Sequence, residues 1–419
     1  MTKKIIHILT HSPRITKFDL QNRVSPPPTS NPLDAKYAIK LDAFPNWVIF
    51  PTNDWHVQVA EETLLRTDEY IIECWRPNQY INEPYERRIN GICHRVFPSY
   101  KSGLGKYGNE VSPSMLNELS NQKENFNLII HLHQYTQAIS KKIANTFSEL
   151  PIVGSHLGGA TFRSKIKYEK SLVKKAIYYI LDIPESKAIR KMDFLTVGSR
   201  EELNSISEYH NSVDMFPANG INFSDYYSNR KESRTELGIN QDKRVMLHVS
   251  RFIKLKGIPT IIQAYEQLSK EFDLDLYIIG GNKEDELYEY CTNSGAIVKE
   301  RMPHDKLNLY YSAADVFVTF PNYDRGVLAS AGIGTATLES LASETPVVSN
   351  GLGAYIGQSE SVGFIPKNYD DLIHSLRLIL NGSAKFTNLN EKASKYYDWS
   401  FVIEGFLSRY EILSNKYYT

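Results

Sequence analysis

Two basic side chains, Arg251 and Lys256, follow a short apolar run and stand five residues apart, just before Gly257. An arginine can bind phosphate oxygens through two parallel hydrogen bonds, and a lysine adds a point charge. A helix beginning near Gly257 would add free backbone N–H groups and the positive end of its dipole. The pattern suits a diphosphate, but a solvated basic loop in which Arg251 pairs with a surface carboxylate fits it equally well.

A second candidate anion site is the glycine-rich run Gly332-Ile333-Gly334-Thr335, which leads into a predicted helix. Glycines let backbone N–H groups approach an anion closely. We expect Glu339 in the first turn of this helix, where the dipole favours a carboxylate and where it could accept hydrogen bonds from a ribose diol. Taken alone, an ordinary acidic residue near a helix start explains Glu339 better.

Two histidines, His131 and His133, alternate along a predicted strand and therefore point to the same face. Such a pair could bind a metal ion, but no cysteine or carboxylate lies close enough in the sequence to complete a site, so we expect no metal. The three cysteines, Cys74, Cys93 and Cys291, also lack metal-ligand spacing. Their scatter predicts a reducing compartment without disulfides.

The segment from Arg163 to Lys175 carries six basic side chains opposed by Glu169 alone, with apolar residues between them. This pattern predicts an amphipathic helix with a cationic face, which could lie on anionic lipid. A solvated face that aids solubility is the simpler interpretation, and we favour it at this point.

These candidates need a scaffold, and 419 residues are too many for one ordinary core, which predicts two domains. Short apolar runs alternate with longer amphipathic stretches, as in the βαβ units of a parallel sheet. The polar stretch Ile221–Asn240 lacks an apolar period and is expected to be a linker. Ligands of such sheets bind beyond the carboxyl ends of the strands, where the strand order reverses.

Twelve short apolar runs are predicted strands. In the first half they are Ile5–Leu9, Trp47–Phe50, Tyr70–Glu73, Arg95–Phe97, Leu128–His131, Ile152–Ser155 and Phe194–Val197. In the second half they are Val245–Val249, Leu274–Ile279, Ala296–Val298, Val316–Phe320 and Pro346–Val348. An amphipathic helix over Phe401–Leu413 is predicted to close the chain.

The overall charge excludes some partners. Basic and acidic residues both number 48, so no global field points to nucleic acid. The apolar run Ile5–Leu9 is too short for a signal peptide, and no run approaches the roughly 18 apolar residues of a membrane span. We therefore expect a cytoplasmic protein, with peripheral membrane contact through the Arg163–Lys175 segment as the alternative that stays open.

From Met215 onward the sequence resembles the retaining glycosyltransferases of family 4, whose GT-B architecture places two Rossmann-like α/β domains face to face across a cleft. The matching motifs occur in the family's order: Phe216–Asn222 (as "PNGVD", with Ala218 inserted), Ser250–Gly257, Tyr277–Gly281, Pro303–Val318, Leu338–Val348, Gly363–Pro366 and Trp399-Ser400. A looser match in the first half comprises Asn127–His133, Pro151–His156 and Asp193–Ser199.

The resemblance implies that Arg251 and Lys256 hold the diphosphate of a nucleotide sugar, most simply one linked to UDP or GDP. It implies that Glu339 holds the ribose and that His133 approaches the transferred sugar. The acceptor would be a hydroxyl of a glycan or a lipid-linked molecule. The resemblance further implies retention at the anomeric carbon without a metal or other cofactor.

One departure from the family pattern concerns the donor sugar. Ala331 stands where the family has the first glutamate of E-x7-E, the residue that contacts the sugar ring. Asp324 could replace that glutamate if the loop bulges; otherwise the sugar is bound differently or activity is lost. Near the N-terminus, Thr10–Arg14 replaces the family's Gly-Gly loop, so the acceptor side also differs.

We expect residues 1–220 to form the acceptor-side domain and residues 221–399 the nucleotide-sugar domain. A helix over about 400–419 is expected to pack back onto the first domain, as in the family. Two other functions stay open: an epimerase or hydrolase of the same fold that acts on the nucleotide sugar, and a non-catalytic nucleotide- or partner-binding protein, which Ala331 favours.

Overall fold

The computed structural model describes residues 1–10, 55–79, 81–102, 109–156, 160–226, 229–322, 333–351 and 362–419. The predictions for Asp324, Ala331, Gly332 and the strand Trp47–Phe50 lie outside these described residues.

The first half of the chain is built on an eight-stranded sheet in the order β10-β9-β8-β7-β1-β2-β4-β3. Only the β3–β4 pair is antiparallel among these described strands. The strands are β1 (Lys3–Leu9), β2 (Ile71–Asn78), β3 (Tyr85–Ile89), β4 (Ile92–Pro98), β7 (Asn127–His133), β8 (Ile152–Ser155), β9 (Phe194–Val197) and β10 (Val213–Met215). A separate pair is formed by β5 (Tyr100–Lys101) and β6 (Glu110–Val111).

The second half contains a six-stranded parallel sheet in the order β13-β12-β11-β14-β15-β16. Its strands are β11 (Arg244–Val249), β12 (Leu274–Gly281), β13 (Ile297–Glu300), β14 (Val316–Thr319), β15 (Val347–Ser349) and β16 (Gly363–Phe364). This is the doubly wound order of nucleotide-binding sheets, and it reverses between β11 and β14. In the first sheet the order reverses between β1 and β7, so each sheet has one such crevice.

Helices cover both faces of each sheet. In the first half they are α1 (Trp55–Leu64), α2 (Pro113–Lys123), α3 (Ala138–Thr146), α4 (Phe162–Tyr168), α5 (Leu172–Ile189) and α6 (Arg200–Ser207). In the second half they are α7 (Arg230–Leu237), α8 (Ile258–Leu268), α9 (Tyr288–Thr292), α10 (His304–Ala313), α11 (Thr335–Ala342), α12 (Tyr369–Leu380), α13 (Leu389–Tyr397) and α14 (Trp399–Tyr418). None of the helices in the described ranges is long and apolar enough to cross a membrane.

The last helix, α14, packs on the first sheet although it follows the second. Val402, Phe406 and Tyr410 are fully buried in a cluster that also contains Ile5 and Ile129 from the strands of the first sheet. The chain crosses between the sheets twice. The two crossings run side by side and are joined by hydrogen bonds. The Ile221 N–H donates to the Tyr397 carbonyl (3.0 Å), and the Trp399 N–H donates to the Ile221 carbonyl (3.2 Å).

The stretch Ile221–Asn240, which is expected from its sequence to be a linker, contains helical structure. The structure forms a short 3-10 helix at Phe223–Asp225 and then α7, whose buried face is polar and therefore carries no apolar period. Arg234 is fully buried: its Nε donates to the Ala313 carbonyl (2.9 Å) and its Nη2 to Asp315 Oδ2 (2.9 Å). The buried face of α7 is thus held by the hydrogen-bonded guanidinium of Arg234 rather than by an apolar stripe, which is the pattern that a sequence would reveal.

The prediction of a single amphipathic helix from Arg163 to Lys175 is wrong. The segment forms two helices, because α4 ends at Tyr168 and α5 begins at Leu172. Ser171 caps α5 by accepting a hydrogen bond from the Lys174 N–H (3.4 Å). The carboxylate of Glu169 accepts two backbone N–H groups at 2.9 Å, from Lys170 and Ser171. Such side-chain to backbone hydrogen bonds compete with helix continuation.

Candidate functional site

The loops after β11 and β14 meet at the carboxyl edge of the second sheet, and the loop after β11 contains Arg251 and Lys256. This loop leaves β11, the strand at which the order reverses. Gly257 has φ +73°, and a Cβ there would lie 1.8 Å from the Phe320 carbonyl oxygen. Only glycine fits this contact, which holds the loop after β11 against the loop after β14. The Asn322 N–H donates to the Leu255 carbonyl (2.9 Å) and ties the same two loops together.

The three lysine and arginine side chains of this loop are not equivalent. Lys254 is mostly exposed and forms an ion pair with Glu286 (3.1 Å). Arg251 and Lys256 are half-buried. Gly257 ends the short 3-10 helix Lys254–Lys256 and begins α8, so Lys256 lies directly before that helix N-terminus. A half-buried cation next to free helix amides favours an anion more strongly than an exposed one does.

His248, which the sequence reading did not single out, joins β11 to β14 beneath this loop. Its Nδ1 lies 2.8 Å from the Val318 carbonyl oxygen and its Nε2 lies 2.7 Å from Ser250 Oγ. Burial lowers the pKa of His248 to about 4, so the imidazole is neutral at physiological pH. The sequence signal that could have identified His248 is its position as a polar residue within an apolar strand.

The glycine-rich run reaches the same edge of the sheet at its second half. Ile333 is buried, Gly334 is the extended N-cap of α11, and Thr335 is the first helical residue. The first N–H groups of α11 have no intrahelical acceptor, since a helix leaves such groups unpaired at its start. The run therefore presents backbone donors at the start of α11, and their binding of an anion stays a prediction.

Glu339 lies in the second turn of α11, not the first, because the helix begins at Thr335 rather than later. The side chain of Glu339 is 5% exposed and is held on both sides. The Tyr311 hydroxyl donates to Oε2 (2.8 Å), and His304 Nδ1 lies 3.2 Å from Oε1. The hydrogen bond to Glu339 raises the pKa of His304, so this exposed imidazole is favoured in its charged form.

In the first sheet, His133 lies at the carboxyl end of β7, beside the crevice between β1 and β7. Its backbone carbonyl accepts a hydrogen bond from Thr10 Oγ1 (3.1 Å). The next residue, Gln134, has φ +80°, a rare conformation for a non-glycine residue. The His133 ring is fully buried on the α14 side of the sheet. Its proposed contact with a sugar therefore stays a prediction.

His133 belongs to a continuous hydrogen-bonded chain of side chains. The chain connects Tyr410 Oη to His131 Nδ1 (2.6 Å), His131 Nε2 to Ser155 Oγ (3.0 Å), Ser155 Oγ to His133 Nδ1 (3.4 Å) and His133 Nε2 to His7 Nδ1 (3.0 Å). Burial lowers the pKa of His7 to about 3 and those of His131 and His133 well below the ordinary value. A neutral imidazole donates once and accepts once, so the hydrogen bonds can run in one direction from the Tyr410 hydroxyl to His7.

His7 adds a third histidine to the pair His131 and His133. The sequence prediction about metal binding did not include it. His7 is the register partner of His131 on the neighbouring strand, and ligand atoms of His7, His131 and His133 lie within 4.8 Å of one another. Neutral imidazoles are the form that zinc binds. Coordination would have to replace the hydrogen bond between His7 and His133, so the expectation of no metal stays a prediction.

A second buried group lies at the ends of β8 and β9. The Tyr135 hydroxyl donates to Glu202 Oε1 (2.6 Å), and Nδ1 of His156 contacts the same oxygen. The Gly198 N–H donates to the other carboxylate oxygen (3.3 Å). The sequence resemblance covered His156 but not its partner, because 46 residues separate the two.

Comparisons with known proteins identify sequences similar to the second half of the chain. Residues 229–396 match the family model of the glycosyl transferases group 1. An uncharacterized glycosyltransferase of Methanocaldococcus jannaschii is 24% identical over 257 residues, 54% of this chain and 64% of that protein. The alpha-monoglucosyldiacylglycerol synthase of Streptococcus pneumoniae is 31% identical over 129 residues, 29% of this chain and 28% of that protein. The chain thus spans less than two thirds of the length of these relatives.

Solved structures resemble most of the chain. Sucrose-phosphate synthase from Thermosynechococcus elongatus superposes with a TM-score of 0.62 at 17% identity, over 85% of this chain and 92% of that one. Anabaena HepE in complex with UDP gives 0.61 at 12% identity, over 98% and 100%. At such identities the likeness establishes the fold. The chain therefore has the GT-B fold, and residues 229–396 carry the sequence pattern of the glycosyl transferases group 1.

Proposed function

We propose that this chain is a glycosyltransferase that moves a sugar from a nucleotide-diphosphate donor to a hydroxyl acceptor, with retention at the anomeric carbon. The observation that carries the proposal is the position of Arg251 and Lys256. They lie in the loop that leaves β11 at the reversal of strand order, within the segment that matches the glycosyl transferases group 1. HepE, which has the same fold, binds UDP.

In this proposal Arg251 and Lys256 neutralise the charge that develops on the departing diphosphate. Preorganised cations and backbone N–H groups stabilise such a transition state without reorganising during the reaction. The amides from Gly332 to Thr335 would add to this stabilisation at the start of α11. Closure of the cleft would exclude water and align the donor with the acceptor hydroxyl.

Glu339 is proposed to bind the ribose. Its carboxylate already accepts hydrogen bonds from Tyr226, Tyr311 and His304, and a carboxylate has about four lone-pair sites. A ribose diol can therefore share the carboxylate or displace the exposed His304 side chain. His133 and Asp324 are proposed to contact the transferred sugar, and a glycan or lipid-linked hydroxyl is proposed as the acceptor.

A nucleotide titration tests the donor site. UDP, GDP and ADP are titrated by calorimetry into the wild type, Lys256→Ala and the matched variant Lys254→Ala. Because a charged phosphate contact contributes about 1.5–3 kcal/mol, Lys256→Ala should weaken the preferred nucleotide by that amount. Lys254→Ala should leave binding unchanged, since Lys254 pairs with Glu286.

Two results would count against the proposal. If the wild type binds none of the three nucleotides, Arg251 and Lys256 do not form a donor site and the non-catalytic alternative gains support. If Lys254→Ala and Lys256→Ala weaken binding equally, the effect is general charge rather than a defined contact. Product analysis with a nucleotide sugar and no acceptor then separates a transferase, which hydrolyses the donor slowly, from a hydrolase or epimerase.

A further inference from the structure

Helix α5 exposes apolar side chains and buries polar ones. Seven of the fifteen large apolar side chains that are exposed in the described ranges lie on it: Leu172, Val173, Ile177, Tyr179, Ile180, Leu181 and Ile183. Leu172 is 81% exposed and Ile180 67%. Asp182, Glu185 and Ser186 on the same helix are buried. The hydrophobic effect favours the opposite arrangement, so something must cover this surface.

The apolar side chains form one continuous surface. At about 100° per residue, positions 172 to 183 place them on an arc of roughly 200° around the helix axis. The buried polar residues occupy the opposite arc. Lys174 lies at the border between the two arcs, and the partly buried Tyr178 lies within the polar one. We call the exposed arc, defined by the seven apolar residues above, the α5 ridge.

Ion pairs and hydrogen bonds on the buried side fix this orientation. Glu185 accepts a hydrogen bond from the Phe162 N–H (2.8 Å) and lies 3.7 Å from Lys141 Nζ. Asp182 Oδ2 lies 3.5 Å from Arg163 Nε. Rotating α5 to bury its apolar side would break these contacts. The ridge is therefore specified by the sequence and is not a frayed helix end.

Cations surround the ridge. Between residues 163 and 190 there are eight lysines and arginines and three acidic residues, two of which, Asp182 and Glu185, are buried. A groove of about 550 Å³ runs beside the ridge. Its lining combines apolar Tyr179, Ile180 and Ile183 with Arg163, Lys187 and Arg190, together with Asp182 and Ser186.

We infer that the α5 ridge docks on an anionic lipid bilayer. Its apolar side chains would enter the boundary between headgroups and acyl chains, and the surrounding cations would face the lipid phosphates. A second copy of the chain would bring two sets of these cations together, which charge repulsion disfavours. The inference goes beyond the proposed function, because membrane docking does not depend on the donor site.

Vesicle flotation tests the inference. The wild-type chain is mixed with vesicles of equal parts phosphatidylglycerol and phosphatidylcholine, or of phosphatidylcholine alone. We expect flotation with the anionic vesicles and little with the neutral ones. Ile180→Glu should reduce the bound fraction by roughly tenfold. Leu65→Glu, at a side chain 77% exposed on another part of the surface, should bind as the wild type does.

Both substitutions are at exposed positions, so circular dichroism should find all three proteins equally folded. Failure of the wild type to float with anionic vesicles would overturn the inference. Equal flotation of Ile180→Glu and the wild type would overturn it as well. A wild-type dimer in light scattering that Ile180→Glu converts to a monomer would instead assign the ridge to a second copy. Nucleotide titration of the same samples reports separately on the donor site.

Discussion

At the scale of single residues, the tertiary structure distinguishes the basic side chains near the candidate donor site by their burial and their ion pairs. Arg251, Lys254 and Lys256 look alike in the sequence, but Lys254 is exposed and forms an ion pair with Glu286, whereas Arg251 and Lys256 are half-buried. The contact between Glu339 and His304 is similar in kind, since it joins residues 35 apart and was not visible in the sequence. The same contact gives a prediction about the titration of His304 with pH.

The pKa of His304 is raised, chiefly by its hydrogen bond to Glu339. The pair therefore stabilises the fold fully below the ordinary histidine pKa, and this contribution is lost as the pH rises through the raised value. An NMR titration should find the His304 pKa above about 6.5 in the wild type. In Glu339→Gln it should fall back toward that value. An unchanged titration in the variant would show that Glu339 is not the cause.

At the scale of elements, Gly257 lets two loops of the candidate donor site pack against each other, and Gly238 offers a comparison. Gly257 and Gly238 both have positive φ, +73° and +67°. A Cβ at Gly257 would strike the Phe320 carbonyl, whereas nothing lies within 4 Å of one at Gly238. A substitution at Gly238 therefore reports on backbone strain alone, whereas one at Gly257 adds a steric contact between the two loops.

Gly238→Ala should lower the free energy of unfolding by about 1 kcal/mol, the usual cost of a left-handed conformation. Gly257→Ala should cost at least about 2 kcal/mol more, because the loops after β11 and β14 must also move apart. Urea unfolding of both variants measures the difference. Equal costs would mean that the two loops separate without penalty, and they would weaken the case for a preformed site.

At the scale of the whole molecule, α14 links the two sheets, since it follows the second and completes the core of the first. Phe406 is fully buried there, with its ring 4.8 Å from that of His131 and 5.4 Å from that of Phe216. The two chain crossings meet at Gly220, where a Cβ would lie 2.7 Å from the Tyr397 carbonyl oxygen. The domain limits at residues 220 and 399 stay predictions, but any movement between the domains must pass through these crossings.

Phe406→Ala should destabilise the first domain by about 3–5 kcal/mol, through lost burial and the cavity left behind. Ile412→Ala on the same helix should change stability by less than about 0.5 kcal/mol, because Ile412 is 63% exposed. Urea unfolding of both variants makes the comparison. A small effect of Phe406→Ala would mean that the first domain does not need α14.

The sequence by itself determined the fold class and the two-sheet plan, because apolar runs and amphipathic stretches are local patterns. Ile152–Ser155 and Phe194–Val197 were predicted with their observed limits. It missed β3, a short antiparallel strand whose hairpin turns at Asn90 and Gly91, both with positive φ. It also missed α7, because a buried arginine leaves no apolar stripe.

Only the tertiary structure decided which side chains meet. His7 and His133 lie 126 residues apart in the sequence, and His131 and Tyr410 lie 279 apart, yet each pair shares a hydrogen bond. It likewise decided that α5 turns its apolar side outward, because the ion pair of Asp182 and the hydrogen bond of Glu185 form with partners on other helices. Periodicity reports that a helix has two faces, whereas the contacts made by neighbouring elements decide which face is buried.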